Sequence, residues 1–160
     1  MNILILGSGI VGANLAKKLS EQGKNVFLLD DDANELKNLA ERFDIKTIYD
    51  DPLNPSFYKN FDSKIDCFIA VTRSDEKNII TSKFAREFLK VDKSIARVRN
   101  QNLILDENKS LLIESNSFLD HMISPECEVS NNIFEKIHLP GAFFSESLIT
   151  HDYLLIGMQS

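Results

Sequence analysis

The residues with the most evident chemistry are three glycines, Gly7, Gly9 and Gly12, separated by Ser8 and by Ile10 and Val11. They follow an apolar run, Ile3 to Leu6, and open a helical pattern from Ala13 to Gln22 that stops at Gly23. In such a turn the first glycine allows the tight bend. The second lets the backbone approach a pyrophosphate, and the third lets helix and strand pack closely. The free N–H groups and positive dipole end of the helix then face the anion. Asp30 closes the second apolar run, where a carboxylate accepts hydrogen bonds from a ribose and repels a 2′-phosphate. This favours NAD or another plain adenosine nucleotide over NADP. Asp31 shares the acidic turn and joins the expected site, while Asp32 is read as a helix cap.

Two further clusters fall where ligands bind in open parallel sheets, beyond the carboxyl ends of strands. Thr72-Arg73-Ser74-Asp75 follows the fourth apolar run. Arg97 and Arg99 lie two apart on the fifth, which places them on one face. Such arginines either neutralise phosphates or ion-pair with Asp75 or Glu76.

Short apolar runs and helical periods alternate to position these groups. Ile3 to Leu6, Val26 to Leu29, Lys46 to Tyr49, Cys67 to Val71, Ser94 to Arg99 and Phe118 to Ile123 read as strands. Their near-continuous apolar character suits a parallel sheet buried on both faces. Between them, Asp32-Ala33-Asn34-Glu35 is a capping box followed by Leu36, Leu39, Ala40 and Phe43 at helical spacing. Ile80, Phe84 and Phe88 mark a later helix, with Asp75 as its cap, and Asp50 to Pro55 reads as a loop. Leu103 to Leu105 and Leu111 to Ile113 read as helical fragments. The fold class is α/β: a Rossmann-type doubly wound parallel sheet, with a C-terminal crossover helix and a short β tail. The expected domains are 1–124 for nucleotide binding, 125–142 for the crossover helix and 143–160 for the start of a truncated C-terminal region. Leu148 to Met158 is read as the opening strands of that region.

The crossover helix starts at Ser124-Pro125-Glu126 and ends at Leu139-Pro140-Gly141. Val129, Ile133 and Ile137 repeat every four residues along it, and Phe134 widens the stripe. The sheet is complete before this helix, so its apolar face predicts a neighbouring subunit and a homodimer.

Composition narrows the function. The chain has 160 residues, 43% hydrophobic and 26% charged, which fits a soluble globular domain. A net charge of -6 makes it a poor general nucleic-acid binder. The N-terminus lacks the basic segment of a signal peptide, and no apolar run approaches the ~20 residues of a spanning helix. Cys67 and Cys127 belong to no Cys/His cluster, so a reduced, cytoplasmic setting is expected and no metal site. A dehydrogenase needs a substrate site beside the nicotinamide, and the dinucleotide fold alone fills nearly the whole chain. His121, His138 and His151 pair with no nucleophile by sequence, so no catalytic residue is expected. Nucleotide is read as sensed, with the cofactor domain of a small NAD-dependent reductase as the alternative.

Together, Gly7-x-Gly9-x-x-Gly12, Asp30, Ala70-Val71-Thr72-x-x-Asp75-Glu76-x-Asn78, Ile95-Ala96-Arg97-Val98-Arg99 and Asp120-His121-x-Ile123-Ser124-Pro125-Glu126 resemble the TrkA-type regulators of potassium transport. Their nucleotide-binding module is the RCK (KTN) domain, and the resemblance covers roughly residues 1 to 140. It implies a peripheral cytoplasmic subunit at the inner face of the cell membrane. Such a subunit forms a homodimer or higher homo-oligomer and controls a membrane potassium transporter, with no membrane insertion of its own. It also implies that the glycine turn, with Ser8 and Ile10, holds phosphates and Asp30 the adenosine ribose. Thr72 and Arg73 then lie against the ligand and Arg97 near its phosphates. Asp50 stands on the adenine side, where the family commonly has Gly. Ile10 stands where members gated by ATP often carry Arg. NAD(H) is therefore the first expected ligand, with ATP or ADP the second.

Overall fold

The structure, a computed structural model, describes residues 1–100, 118–138, 142–147 and 154–158. It divides into two units, residues 1–123 and 124–160.

In the first unit, β1 (Asn2–Leu6), β2 (Asn25–Asp30), β3 (Lys46–Tyr49), β4 (Cys67–Ala70), β5 (Lys93–Arg97) and β6 (His121–Ile123) form one sheet in the order β3-β2-β1-β4-β5-β6. Every neighbouring pair is parallel. This is the doubly wound arrangement, in which the chain works outward from β1 to one edge, returns, and works outward to the other. Both faces of the sheet are covered, which explains why the inner strands β1, β2 and β4 are apolar apart from Asn2, Asn25 and Asp30 at their ends. Leu4, Leu6, Phe27, Leu29, Phe68 and Ala70 face one core, and Ile3, Ile5, Val26, Leu28, Cys67 and Ile69 face the other.

α1 (Ile10–Glu21) and α2 (Ala33–Arg42) cover the second of these faces through Ala16, Leu36 and Leu39. α3 (Pro55–Lys59) and α4 (Asp75–Phe84), continued by a π-helical turn at Ala85–Leu89, cover the first through Tyr58, Phe84 and Ala85. Arg86, in the π-helical turn, pairs with Asp120 at 2.5 Å, and Asp120 also accepts from the Ser94 amide at 2.6 Å. That carboxylate ties the turn and β5 to the start of β6.

Several sequence expectations need correction. β5 ends at Arg97, so Arg99 lies beyond it. β6 begins at His121, later than Phe118. The segment after Asp50 contains the short helix α3, whose Asn54 side chain accepts from the Ser56 amide and whose first residue is Pro55. The cap of α4 is Ser74, which accepts from the Lys77 amide at 3.1 Å. Asp75 sits inside the first turn. α4 buries polar residues, Asp75, Asn78, Thr81 and Ser82, alongside Ile79 and Phe84, and leaves Ile80 exposed. Backbone groups at the ends of β4 and β5 require partners there. Thr81 and Ser82 satisfy their own hydroxyls on the Lys77 and Asn78 carbonyls at 2.7 and 2.8 Å.

In the second unit, α5 (Pro125–His138) begins where Ser124-Pro125 placed it. β7 (Ala142–Ser147) and β8 (Leu154–Met158) form an antiparallel pair. β8 lies within Leu148 to Met158, where strands were expected, whereas β7 lies wholly before that stretch. The fragments at Leu103–Leu105 and Leu111–Ile113, and the helix stop at Leu139-Pro140-Gly141, lie outside the described residues.

Candidate functional site

The carboxyl ends of β1, β2 and β4 meet at a cavity of about 550 Å³. Its lining comes from three segments: the glycine turn with Leu6, Gly7, Ser8, Gly9 and Ile10; the β2–α2 turn with Asp30, Asp31, Asp32 and Glu35; and Val71, Thr72, Arg73 and Lys77 after β4. Pro52 closes one side. The volume falls within the range of small-molecule sites, and the position is the switch point between the two halves of the sheet.

The glycine turn is shaped by close approach. Gly7 has φ +109°, and a Cβ there would lie 3.1–3.3 Å from the Val71–Thr72 backbone. A Cβ on Gly12 would lie 1.7 Å from the Gly7 carbonyl oxygen. Gly9 is different: a Cβ there meets no protein atom within 4 Å. Gly9 is also the N-cap of α1, with no capping side chain and no acidic residue in the first turn that follows. By contrast, α2 has Asp32 as cap and Glu35, and α4 has Ser74 with Asp75 and Glu76. The first amides of α1 therefore face the cavity ready for an anion.

Asp30 is held in place from both sides. Its Oδ2 accepts from the Ser8 amide at 2.5 Å and its Oδ1 from the Asp32 amide at 3.1 Å. Partial burial works against its charge. The hydrogen bonds from Ser8 and Asp32 outweigh this and keep the carboxyl below the usual carboxylate range. Because the folded value is the lower one, this group's contribution to stability is complete above about pH 4 and is lost as pH falls through the lowered folded value. Asp32 caps α2 by accepting from the Asn34 and Glu35 amides at 3.0 and 3.1 Å. The reciprocal arm of the expected capping box is absent, since the Asp32 amide goes to Asp30 instead.

On the opposite wall, Asn78 is fully buried and joins two strand ends. Its Oδ1 accepts from the Thr72 amide and hydroxyl at 3.0 and 2.7 Å. Its Nδ2 donates to the Thr72 and Arg97 carbonyls at 3.2 and 2.9 Å. Asp75 accepts from the Arg99 and Asn100 amides at 2.9 and 2.8 Å. The Arg99 guanidinium lies 3.5 Å from Asp75 and donates to the Arg73 carbonyl, so of the two readings open for Arg99 the ion pair is the one present. The Pro52 side is fixed by Tyr58, whose buried hydroxyl donates to the Pro52 carbonyl at 2.9 Å. Burial first, then the charges of Asp51 and Asp50, push its pKa up and keep it a donor.

Eight of the residues expected at the site line this cavity: Gly7, Ser8, Gly9, Ile10, Asp30, Asp31, Thr72 and Arg73. Val11 faces outward on α1, and Gly12 packs against the turn. Asp50 turns its carboxylate to the Asp51 amide. Arg97 gives its carbonyl to Asn78. The sequence reading did not place the other six lining residues at the site: Leu6, Asp32, Glu35, Pro52, Val71 and Lys77. Lys77 stood within one helical turn of Ser74 at the ligand edge, a placement that signals it. Among the described residues there is no group of His, Cys, Asp and Glu fit to hold a metal, and no helix long and apolar enough to cross a membrane.

Residues 3–125 match the profile of the TrkA-N domain. The chain belongs to the TrkA-N domain family. It is 33% identical over 143 residues to the Trk system potassium uptake protein TrkA of Haemophilus influenzae, covering 89% of this chain and 31% of that protein. The chain thus spans about a third of the length of the curated relatives it matches. Its fold is similar to the NAD(P)-binding domain of an exopolyphosphatase-related protein from Archaeoglobus fulgidus, with TM-score 0.67 and 20% identity over 85% of this chain and 96% of that one. It is also similar to the GsuK channel bound to NAD, with TM-score 0.57 and 21% identity over 64% of this chain and 18% of that one. In this TrkA-N domain, the turn of Gly7 and Gly9 is also the floor of the cavity.

Proposed function

We propose that this chain is the nucleotide-sensing part of a cytoplasmic regulatory subunit for potassium uptake. It binds NAD(H), or failing that ATP or ADP, and controls transport without transforming the nucleotide. The observation that carries this reading is one cavity in which the uncapped start of α1 faces the pinned carboxylate of Asp30. An anion-binding helix end and a diol acceptor are the two groups a ribose-phosphate needs. The similarity to TrkA proteins supports potassium uptake as the regulated process, and the subunit meets the membrane through a transporter partner.

A regulator needs two states that bind its ligand differently. The test is calorimetric titration with NADH, NAD, ATP and ADP, followed by transport measurements with the partner transporter. Different saturating effects of these ligands support the reading. Equal effects of all four, or turnover of NADH with a carbonyl substrate, overturn it.

Asp30→Asn keeps one acceptor oxygen but removes the charge, and Asp30→Ala removes both. The two substitutions are expected to weaken adenosine-nucleotide binding by ~1–3 kcal/mol, the scale of charge-assisted hydrogen bonds, with Ala the larger loss. An unchanged Kd in both removes Asp30 from the site.

The subunit is a homodimer built largely by α5. Val129, Ile133 and Ile137 repeat every four residues and are 57, 54 and 69% exposed, an apolar stripe that suits burial against a second copy. A C2 partner presents the same stripe to itself. Sedimentation is expected to give a dimer at tens of micromolar, and Ile133→Asp a monomer. A monomeric parent, or a dimer indifferent to Ile133→Asp, contradicts α5 as the interface.

A further inference from the structure

Asp31 follows β2, Lys77 lies on α4 after β4, and β1 with its glycine turn runs between those two strands. Strands two apart in a sheet are separated by about 10 Å. The Lys77 ammonium nevertheless reaches Asp31 Oδ2 at 3.0 Å. The pair therefore bridges the two walls of the cavity, past the place where the α1 amides face it, and both residues line that cavity.

We propose that Lys77 is a phosphate ligand held in reserve by Asp31, so that a linked pair of phosphates exchanges one ion pair for another. This deepens the nucleotide reading above and rests on it. The lining charges make the exchange directional. Four carboxylates, Asp30, Asp31, Asp32 and Glu35, stand against two cations, Arg73 and Lys77. Asp30 and Asp32 already accept backbone amides, and of the other two carboxylates it is Asp31 that the Lys77 ammonium reaches. The Asp31 side chain is 57% exposed and that of Lys77 27%, so their attraction is screened and weak. A phosphate seated on the α1 amides offers the ammonium a more concentrated negative charge in a less exposed place. The four-carbon stem of lysine lets it swing between them without moving the backbone.

The cavity thereby reads phosphate charge. Adenosine leaves the Asp31–Lys77 bridge closed. A diphosphate draws Lys77 away, and the ion pair joining the β2 side to the β4 side opens.

The test is calorimetry of ADP, AMP and adenosine on the full chain as wild type, Lys77→Gln, Asp31→Asn and the double variant, with circular dichroism as a check of folding. Lys77→Gln is expected to weaken ADP about tenfold, the loss of one charge-assisted contact, and to leave adenosine within about twofold. Asp31→Asn is expected to tighten ADP severalfold by freeing Lys77, and the double variant to behave as Lys77→Gln. If wild type binds ADP and Lys77→Gln binds it equally well, the exchange is overturned while nucleotide binding stands. If Asp31→Asn weakens ADP and adenosine alike, Asp31 is a ligand contact and the exchange is again overturned. If wild type binds none of the three, together with no NAD(H), both readings fall.

Discussion

Gly12→Ala is expected to cost ~3 kcal/mol or more of stability, at the upper end for an inserted methyl. The added Cβ falls 1.7 Å from the Gly7 carbonyl oxygen, an atom of the main chain that no rotamer change can move. Relief requires separating α1 from the turn that ends β1. Set against the 5–15 kcal/mol typical of a domain, this leaves a protein that melts roughly 6–12 °C lower. Gly9→Ala is the control, because its Cβ meets no protein atom. That variant is expected to melt within about 2 °C of the parent yet lose nucleotide affinity, since the space is kept clear for the ligand. Thermal unfolding of the two proteins side by side checks both halves. Equal melting temperatures for Gly12→Ala and wild type contradict the packing role.

Asn78→Leu is expected to cost roughly 3–5 kcal/mol, because two buried backbone groups lose their partners at once at about 1–3 kcal/mol each. These are the Thr72 N–H and the Arg97 carbonyl. The near-equal volume of Leu keeps the cavity contribution small, so the loss measures the hydrogen bonds. Asn78→Asp retains the acceptor for Thr72 but loses the donor to Arg97 and buries a charge, and is expected to be no more stable. Urea unfolding gives the number. A loss below about 1 kcal/mol for Asn78→Leu means that water replaces the amide and that the two strand ends are not joined through it.

The strands of the first unit were legible because both sheet faces are buried, which leaves uninterrupted apolar runs such as Ile3 to Leu6. The glycine turn was legible because close backbone approach leaves no other residue type at Gly12. The buried polar residues of α4 were not, since they answer to the carbonyl of Arg97 and the amides of Arg99 and Asn100, about 20 residues on. Periodicity sees Ile80, Phe84 and Phe88, of which Phe84 and Phe88 pack on the core and Ile80 is exposed, and it gives no sign of the buried polar residues. The bond from Ser8 to Asp30 and the pairing of Lys77 with Asp31 escaped for the same reason. They span 22 and 46 residues and follow no repeat. α3 could have been found: Asn54-Pro55 is a cap followed by proline in the first turn, and the acidic loop before it hid the signal.

The strand order has a consequence for the time course of folding. Ile3 pairs with Val26 on one side and with Cys67 on the other, so the β1–β2 contact closes a short stretch of chain and the β1–β4 contact a far longer one. Long-range parallel pairing is slow, and it comes after local pairing because its loop entropy must be met first. The far wall of the cavity, Val71 to Lys77, is delivered only by that late event. A chain emerging from the ribosome thus has its glycine turn early and a ligand site only once β4 has docked. A nucleotide bound in that cavity would meet the protein on the native side of the folding barrier, lengthening the lifetime of the folded state and leaving the rate of reaching it unchanged.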